Sequence, residues 1–378
     1  MKEKLIAFLK RETVLCAAFL LAAVSMFFVP PDGRYASYVD FRTLAILFCL
    51  MGVMAGLQKT GVFQRVAQIL LSKVKNARQL ALILVLLCFF SSMLATNDVA
   101  LMTFVPFAFV ALDMVGPQAK KRLLVPIVVL QTVAANLGSM LTPVGNPQNL
   151  YLYGKAGLSL TAFLRLTLPY TLVSLLAVVV WTLFALPGRQ ETVELSFSER
   201  EALAGQALPL AAYGVLFAFN LLSVARAVPY GLALGVTAAG FLLLDRSVFR
   251  RVDYSLLLTF VGFFIFIGNL GRLPAFSHLL QRIVSGNEIL AGAAVSQVVS
   301  NVPAALLLSG FTENLPALII GVNLGGLGTL IASMASLISY KLVAREDGAI
   351  KGAYFRYFTA VNLCFLAILL LFAFFWRA

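Results

Sequence analysis

Two short polar stretches interrupt long apolar runs in this sequence, and they are built alike. Ser91-Ser92-Met93-Leu94-Ala95-Thr96-Asn97-Asp98 lies inside the run from Leu80 to Leu112, and Ser296-Gln297-Val298-Val299-Ser300-Asn301-Val302-Pro303 interrupts a second apolar run far downstream in the same manner. Each sets a hydroxyl residue, Thr96 or Ser300, beside an amide, Asn97 or Asn301. One amide side chain can donate to an anion and accept from a cation-bound water, so the two stretches read as two halves of one ligand site. Asp98 adds a carboxylate, which near mid-membrane costs about 3 kcal/mol on insertion scales and is by default a functional group. It could ligate Na⁺ with neighbouring carbonyls or exchange a proton. A helix N-cap is the plainer role for the same residue.

A second pair of stretches follows the first. Asn136-Leu137-Gly138 with Thr142, Gly145, Asn146, Gln148 and Asn149 matches Asn323-Leu324-Gly325 with Gly328, Thr329 and Ser333, the Asn-to-Thr spacing being the same in both. Gly, Pro and Asn at this density predict an unwound helix whose freed backbone lines a cavity. These residues are candidates for cation and substrate coordination, and satisfying freed backbone groups is their structural alternative. Na⁺ ligands would come from Asn97, Asp98, Gly145, Asn301 and Gly328. His278, the one histidine, lies between Arg272 and Arg282 and reads as a solvated interfacial residue rather than a proton relay.

The elements that must carry these residues are membrane helices. The chain of 378 residues is 61% hydrophobic and 12% charged, with a mean hydropathy of +0.95, outside the balance of soluble domains. Runs of about 20 apolar residues recur along it, and period-two alternation is absent, which disfavours a β-barrel. The net charge of +13 falls in short loops between apolar runs, the positive-inside pattern rather than a nucleic-acid face. Cys16, Cys49, Cys88 and Cys364 stand singly without metal-ligand spacing. The sequence has no P-loop, HExxH or GxSxG, so neither direct nucleotide drive nor an enzyme is expected, and no cofactor is required.

The basic clusters set an expected topology, with a cytoplasmic N-terminus and an outer C-terminus, in a bacterial plasma (inner) membrane. A first inverted repeat occupies 1–186, with a hairpin at 79–115 and a broken helix at 123–153. A polar linker at 187–206 and a connecting span at 207–227 lead to a second repeat at 228–378, with a hairpin at 288–311 and a broken helix at 315–340. Both hairpins are expected to be re-entrant, since Leu80 to Met93 covers roughly 20 Å of a roughly 30 Å hydrocarbon core. The opening of the repeats supports the pairing: Asp40-Phe41-Arg42-Thr43-Leu44 runs parallel to Asp253-Tyr254-Ser255-Leu256-Leu257. Val62, Phe63, Val66, Ile69 and Leu70, among basic residues, predict an interfacial amphipathic helix.

Thr96-Asn97-Asp98 and Ser300-Asn301-Val302-Pro303 on hairpins, with Thr142-Pro143-Val144-Gly145-Asn146 and Gly328-Thr329-Leu330-Ile331-Ala332-Ser333 on broken helices, resemble the ion transporter superfamily. That group includes divalent anion:sodium symporters, arsenite permeases and a class of Na⁺/H⁺ antiporters. The resemblance implies an all-α polytopic inverted-repeat transporter, a homodimer in the lipid bilayer, moving by an elevator-like shift. It implies secondary active transport of a small anionic or oxyanion substrate coupled to Na⁺ or H⁺; Na⁺/H⁺ antiport and arsenite or metalloid efflux are the alternatives. The sequence departs from the Ser-Asn-Thr of the carboxylate symporters at both tips, having Asp98 in one and Val302 in the other.

Overall fold

The computed structural model describes residues 12–185 and 206–376. The expected linker, apart from Gln206, and the basic N-terminal residues lie outside the described residues. Every regular element among the described residues is helical, and eight helices there are long and apolar enough to cross a membrane. The protein is therefore an integral membrane protein with multiple spans.

Helix α1 (Thr13–Phe28) packs along α11 (Tyr254–Gly271), and α2 (Phe41–Lys59) against α9 (Ala207–Val224) and α10 (Tyr230–Leu244). Asp40 caps α2 by accepting from the Thr43 amide at 3.0 Å, and Asp253 caps α11 by accepting from Leu256 at 2.9 Å. The two caps share one backbone shape, φ/ψ −81/84 and −79/85. Each capped helix leads to a short amphipathic one, α3 (Val62–Leu71) and α12 (Pro274–Val284), which expose Val66, Ile69 and Leu70 in the first and Phe276, Leu279 and Ile283 in the second, as suits an interface. His278 is exposed on α12.

The first hairpin comprises α4 (Ala77–Ala95) and α5 (Asn97–Val115), packed on each other and on α6 (Pro117–Gly138). Its arms correct the expected length: each has 19 residues, about 28 Å at the helical rise, long enough to span. Ser92 does not interrupt the helix because its hydroxyl donates back to Phe89 O at 2.9 Å, and the Asn76 side chain caps α4 ahead of Leu80. Short arms appear only in the second hairpin, α13 (Glu288–Val299) and α14 (Asn301–Leu308).

Both broken helices are present and longer than the expected limits. The first runs through α6, a single 3₁₀ turn and an unwound segment into α7 (Pro147–Lys155); the second joins α15 (Leu315–Leu324) to α16 (Met334–Glu346) across its own unwound segment. α6 is the most enclosed span, with α4, α5, α8 (Leu160–Ala185), α16 and α17 (Lys351–Phe375) around it. Lipid tails are as apolar as leucine, so close approach and polar ties must hold such helices together. Gly138 supplies the first, since a Cβ there would lie 2.0 Å from Phe89 O. Gln131 supplies the second, reaching from α6 to Phe104 O on α5 at 3.1 Å.

Polar contacts sort the helix ends into two sets. Lys59 pairs with Asp245, and Lys120 with Asp113 and Glu346, at one end of the molecule. Arg272 pairs with Asp32 at the other, where Arg42 reaches the carbonyls of Ser223 and Val224.

Candidate substrate and ion site

The two hairpin tips turn on strained residues. Thr96 has φ/ψ 52/151 and Ser300 has 77/154, a region normally left to glycine and costing about 1–3 kcal/mol for other residues. A β-branched threonine is especially unusual there. Each strained residue starts a helix, and in each case the amide that follows is fastened to the broken helix of the same half. Asn97 N donates to Gly145 O at 3.2 Å, and Asn301 N donates to Ala332 O at 2.9 Å. Thr142 and Thr329 make the reciprocal tie, their hydroxyls donating to Met93 O and to Gln297 O, four residues before Asn97 and Asn301. Both threonines thus fasten tips to breaks.

The broken helices are then joined to each other by crossed amides. Asn136 Oδ1 accepts from Asn97 Nδ2 at 3.1 Å and from Ser333 Oγ at 2.9 Å, and Asn136 Nδ2 donates to Gly326 O at 3.4 Å. Asn323 mirrors it, donating to Asn149 Oδ1 at 2.6 Å and accepting from Asn146 Nδ2 at 3.1 Å. The amide before each break therefore reaches residues at the start of the helix after the other break. Asn146 also caps α7 by accepting from the Asn149 amide at 2.9 Å. Asn97, Asn136, Asn146, Gln148, Asn149, Asn301, Asn323 and Ser333 are all buried, and buried amides of this kind need partners.

A cavity of about 280 Å³ lies against this network, lined by Thr96, Asp98 and Asn146 and further along by Gln58, Arg251 and Asp253. Arg251 and Asp253 are exposed and form its mouth, on the end of the molecule that holds Lys59 and Asp245. The remaining candidates do not line it: Asn97, Asn136, Asn149, Asn323 and Ser333 stand behind in the amide network, Ser300 and Asn301 at the second tip, and Thr329 is exposed elsewhere. Asp98 is not the helix cap. The Asp98 amide is itself capped by Asn97 Oδ1 at 3.0 Å, and Asp98 Oδ1 is buried without a hydrogen-bond partner. Gly145 and Gly328 are held by close approach, since a Cβ would lie 2.1 Å from Ser139 O in one and 2.2 Å from Gln297 Oε1 in the other.

Residue typing overlooked three contributors. Gln297 braces the second break through Nε2, which donates to Gly325 O at 3.1 Å and Leu327 O at 2.9 Å, while Oε1 accepts from Thr329 N at 2.9 Å. Its place one helical turn before Asn301 was the available signal. Arg251 and Asp253 look in sequence like a positive-inside residue and a helix cap, and only the packing of α11 and the turn before it against α2 brings them to the cavity.

The model of the citrate transporter family matches residues 5–316. The chain is 30% identical over 323 residues to the inner membrane protein YbiR of Escherichia coli, covering 84% of each protein. It is also 30% identical over 306 residues to an uncharacterized transporter of Methanocaldococcus jannaschii, covering 80% of this chain and 81% of the relative. A shorter similarity, 31% over 156 residues, covers 40% of this chain and 31% of a silicon efflux transporter of Oryza sativa. The polar tips and breaks are thus carried on a chain that belongs to the citrate transporter family of the ion transporter superfamily, and the protein is a membrane transporter.

Proposed function

We propose that the protein moves a small oxygen-rich anion, a carboxylate or inorganic oxyanion, coupled to Na⁺ or H⁺, by alternating access at the two tips. The observation that carries this reading is the pairing of a partnerless Asp98 oxygen with a cavity that ends on the crossed amide network. Asp98 and Asp253 outnumber Arg251 in that cavity, so an anion entering it needs an accompanying cation or proton, and Asp98 is the group that takes it. Thr96 meets the ligand at the cavity, and Asn97, the Gly145 carbonyl, Ser300, Asn301 and Gly328, which stand outside the cavity in this conformation, join the contacts as the tips move. Na⁺ is a hard cation, and the Asp98 carboxylate with the neighbouring hydroxyl, amide and carbonyl oxygens offers it ligands of the right kind. The strained tips support this assignment, because strain of this kind clusters at sites that switch.

In this reading the halves 1–186 and 228–378 form inverted repeats, and the cavity by Arg251 is the cytoplasmic mouth; both hairpins are re-entrant, the first despite its 19-residue arms because its tip is tied to the break at Gly145. Transport then proceeds by an elevator-like movement of tips and breaks within a homodimer. The carboxylate pair also suits a neutral metalloid hydroxide, which needs hydrogen-bonding groups and no positive charge; the similarity to a silicon efflux transporter favours that as the second reading.

Uptake of radiolabelled citrate, sulfate and arsenite into proteoliposomes, under separate Na⁺ and proton gradients, tests the proposal. Asn97→Ala and Asn301→Ala should abolish accumulation while the purified proteins remain folded, and Asp98→Asn should remove its dependence on the cation gradient. Unaltered transport in both asparagine variants would refute the site, and accumulation of arsenite alone would replace the anion reading with the second one.

A further inference from the structure

The end of the molecule opposite the open cavity carries a different feature. Arg42 at the start of α2, Lys155 at the end of α7 and Arg226 just past α9 converge on Gly154. Arg226 donates to Gly154 O at 3.2 Å, and Arg42 Nη1 lies 3.2 Å from where a Gly154 Cβ would stand. Two grooves meet there, of about 250 and 600 Å³, and Arg42 and Gly154 line both.

Among the described residues, none of the three cations is in an ion pair. The nearby carboxylate, Asp40, also lines the smaller groove, held at its own helix start by accepting from Thr43 N at 3.0 Å and Thr43 Oγ1 at 2.5 Å, and one carboxylate against three cations leaves the cluster positive. The cations are instead held by neutral groups. Arg42 spans the carbonyls of Ser223 and Val224, Arg226 lies 5.7 Å over the Tyr153 ring, and Lys155 donates to Tyr151 Oη at 3.3 Å. Such contacts fix the positions of the charges without neutralising them.

Arg226 stands at a backbone position that usually belongs to glycine. Its φ is +65, and the bonds from Arg226 N to Ser223 O and Ala227 N to Leu222 O close the end of α9 in the manner of a glycine-terminated helix. An arginine there gives up backbone comfort and places a guanidinium in the groove.

We infer that the groove at Gly154 is a second anion site, which takes a carboxylate or phosphate group between Arg42, Lys155 and Arg226. Like charges held together draw anionic oxygens and concentrate them at a surface, and the fork of a guanidinium suits both groups. α7 connects this groove to the crossed amides at its other end, so a free anion bound here is one short helix from the central site. That role in uptake rests on the anion reading above; the binding itself does not.

The test uses full-length Asn97→Ala protein, so that binding at the tips is suppressed, in an uncharged detergent. Calorimetric titration with citrate and with inorganic phosphate should show binding that weakens as salt rises. Arg226→Gly, which suits the backbone, and Lys155→Gln should each weaken it about fivefold, the upper range for one exposed charge pair. Arg226→Lys should retain most of it. A parallel arm reconstitutes the protein in nanodiscs with and without phosphatidylglycerol. Enrichment of that lipid, lost in Arg226→Gly, would name a headgroup as the source of the same chemistry. The inference is overturned if neither soluble anion nor anionic lipid binds, or if binding ignores both substitutions. Normal transport by Asn97→Ala would refute the central site; the loss on adding Arg226→Gly or Lys155→Gln to the same background would still read the groove.

Discussion

Truncating Asn136 to alanine tests whether the crossed amides hold the two breaks together. Asn136 is 4% exposed, and its loss strands Asn97 Nδ2, Ser333 Oγ and Gly326 O. A buried polar group without a partner costs about 1–3 kcal/mol, so the two better bonds, at 3.1 and 2.9 Å, set a range of about 2–6 kcal/mol on the same principle. Water in the adjoining cavity can reach the first tip, which favours the low end, about 2–3 kcal/mol. Ser333→Ala alone leaves Asn136 bonded to Asn97 and should cost about 1 kcal/mol. Because the two residues share a bond, the double variant should cost less than the sum, by about 1 kcal/mol. Denaturant unfolding of the four purified proteins in one detergent measures the cycle. Costs that simply add, or an Asn136→Ala protein within about 0.5 kcal/mol of the parent, would refute the network as a structural clasp.

Other expectations follow from single contacts. Thr96→Gly and Ser300→Gly relieve φ values of 52 and 77; unfolding should show them neutral to about 2 kcal/mol more stable, with transport reduced. Gly138→Ala would press a methyl against Phe89 O and Gly325→Ala against the Ala293 backbone, and each should lose about 1–3 kcal/mol and melt earlier. The Lys59 ammonium, helped by Ser247, holds the Asp245 carboxyl down at about 2. A depressed carboxylate pKa stabilises above the ordinary value and loses that contribution as pH falls through about 2. Asp245→Asn should therefore melt below the parent at neutral pH, and the gap should close near pH 2.

Much of the helix pattern was legible because the bilayer constrains the sequence so strongly: about 20 apolar residues and a basic loop announce a span without reference to neighbours. The breaks were legible too, since Gly, Pro and Asn at Asn136–Pro147 and Asn323–Thr329 act through local backbone chemistry. Local reasoning misjudged the first hairpin, where Ser91-Ser92 reads as an interruption yet stays helical through a hydroxyl bonded within the helix.

A multispanning helical membrane protein, two polar tips, two broken helices and the asparagines most worth testing could all be read from residue order alone. Tertiary structure decided how those asparagines are used. Asn136 and Asn323 each cross to the opposite half, Thr142 and Thr329 fasten tips to breaks, and Asp98 faces a cavity beside Arg251 and Asp253. It also brought Arg42, Lys155 and Arg226 to one glycine from three distant segments. The division has a physical cause. Helix formation and membrane insertion depend on a window of neighbouring residues, whereas a hydrogen-bond partner or a gathered charge depends on which helices pack together, and no local window contains that.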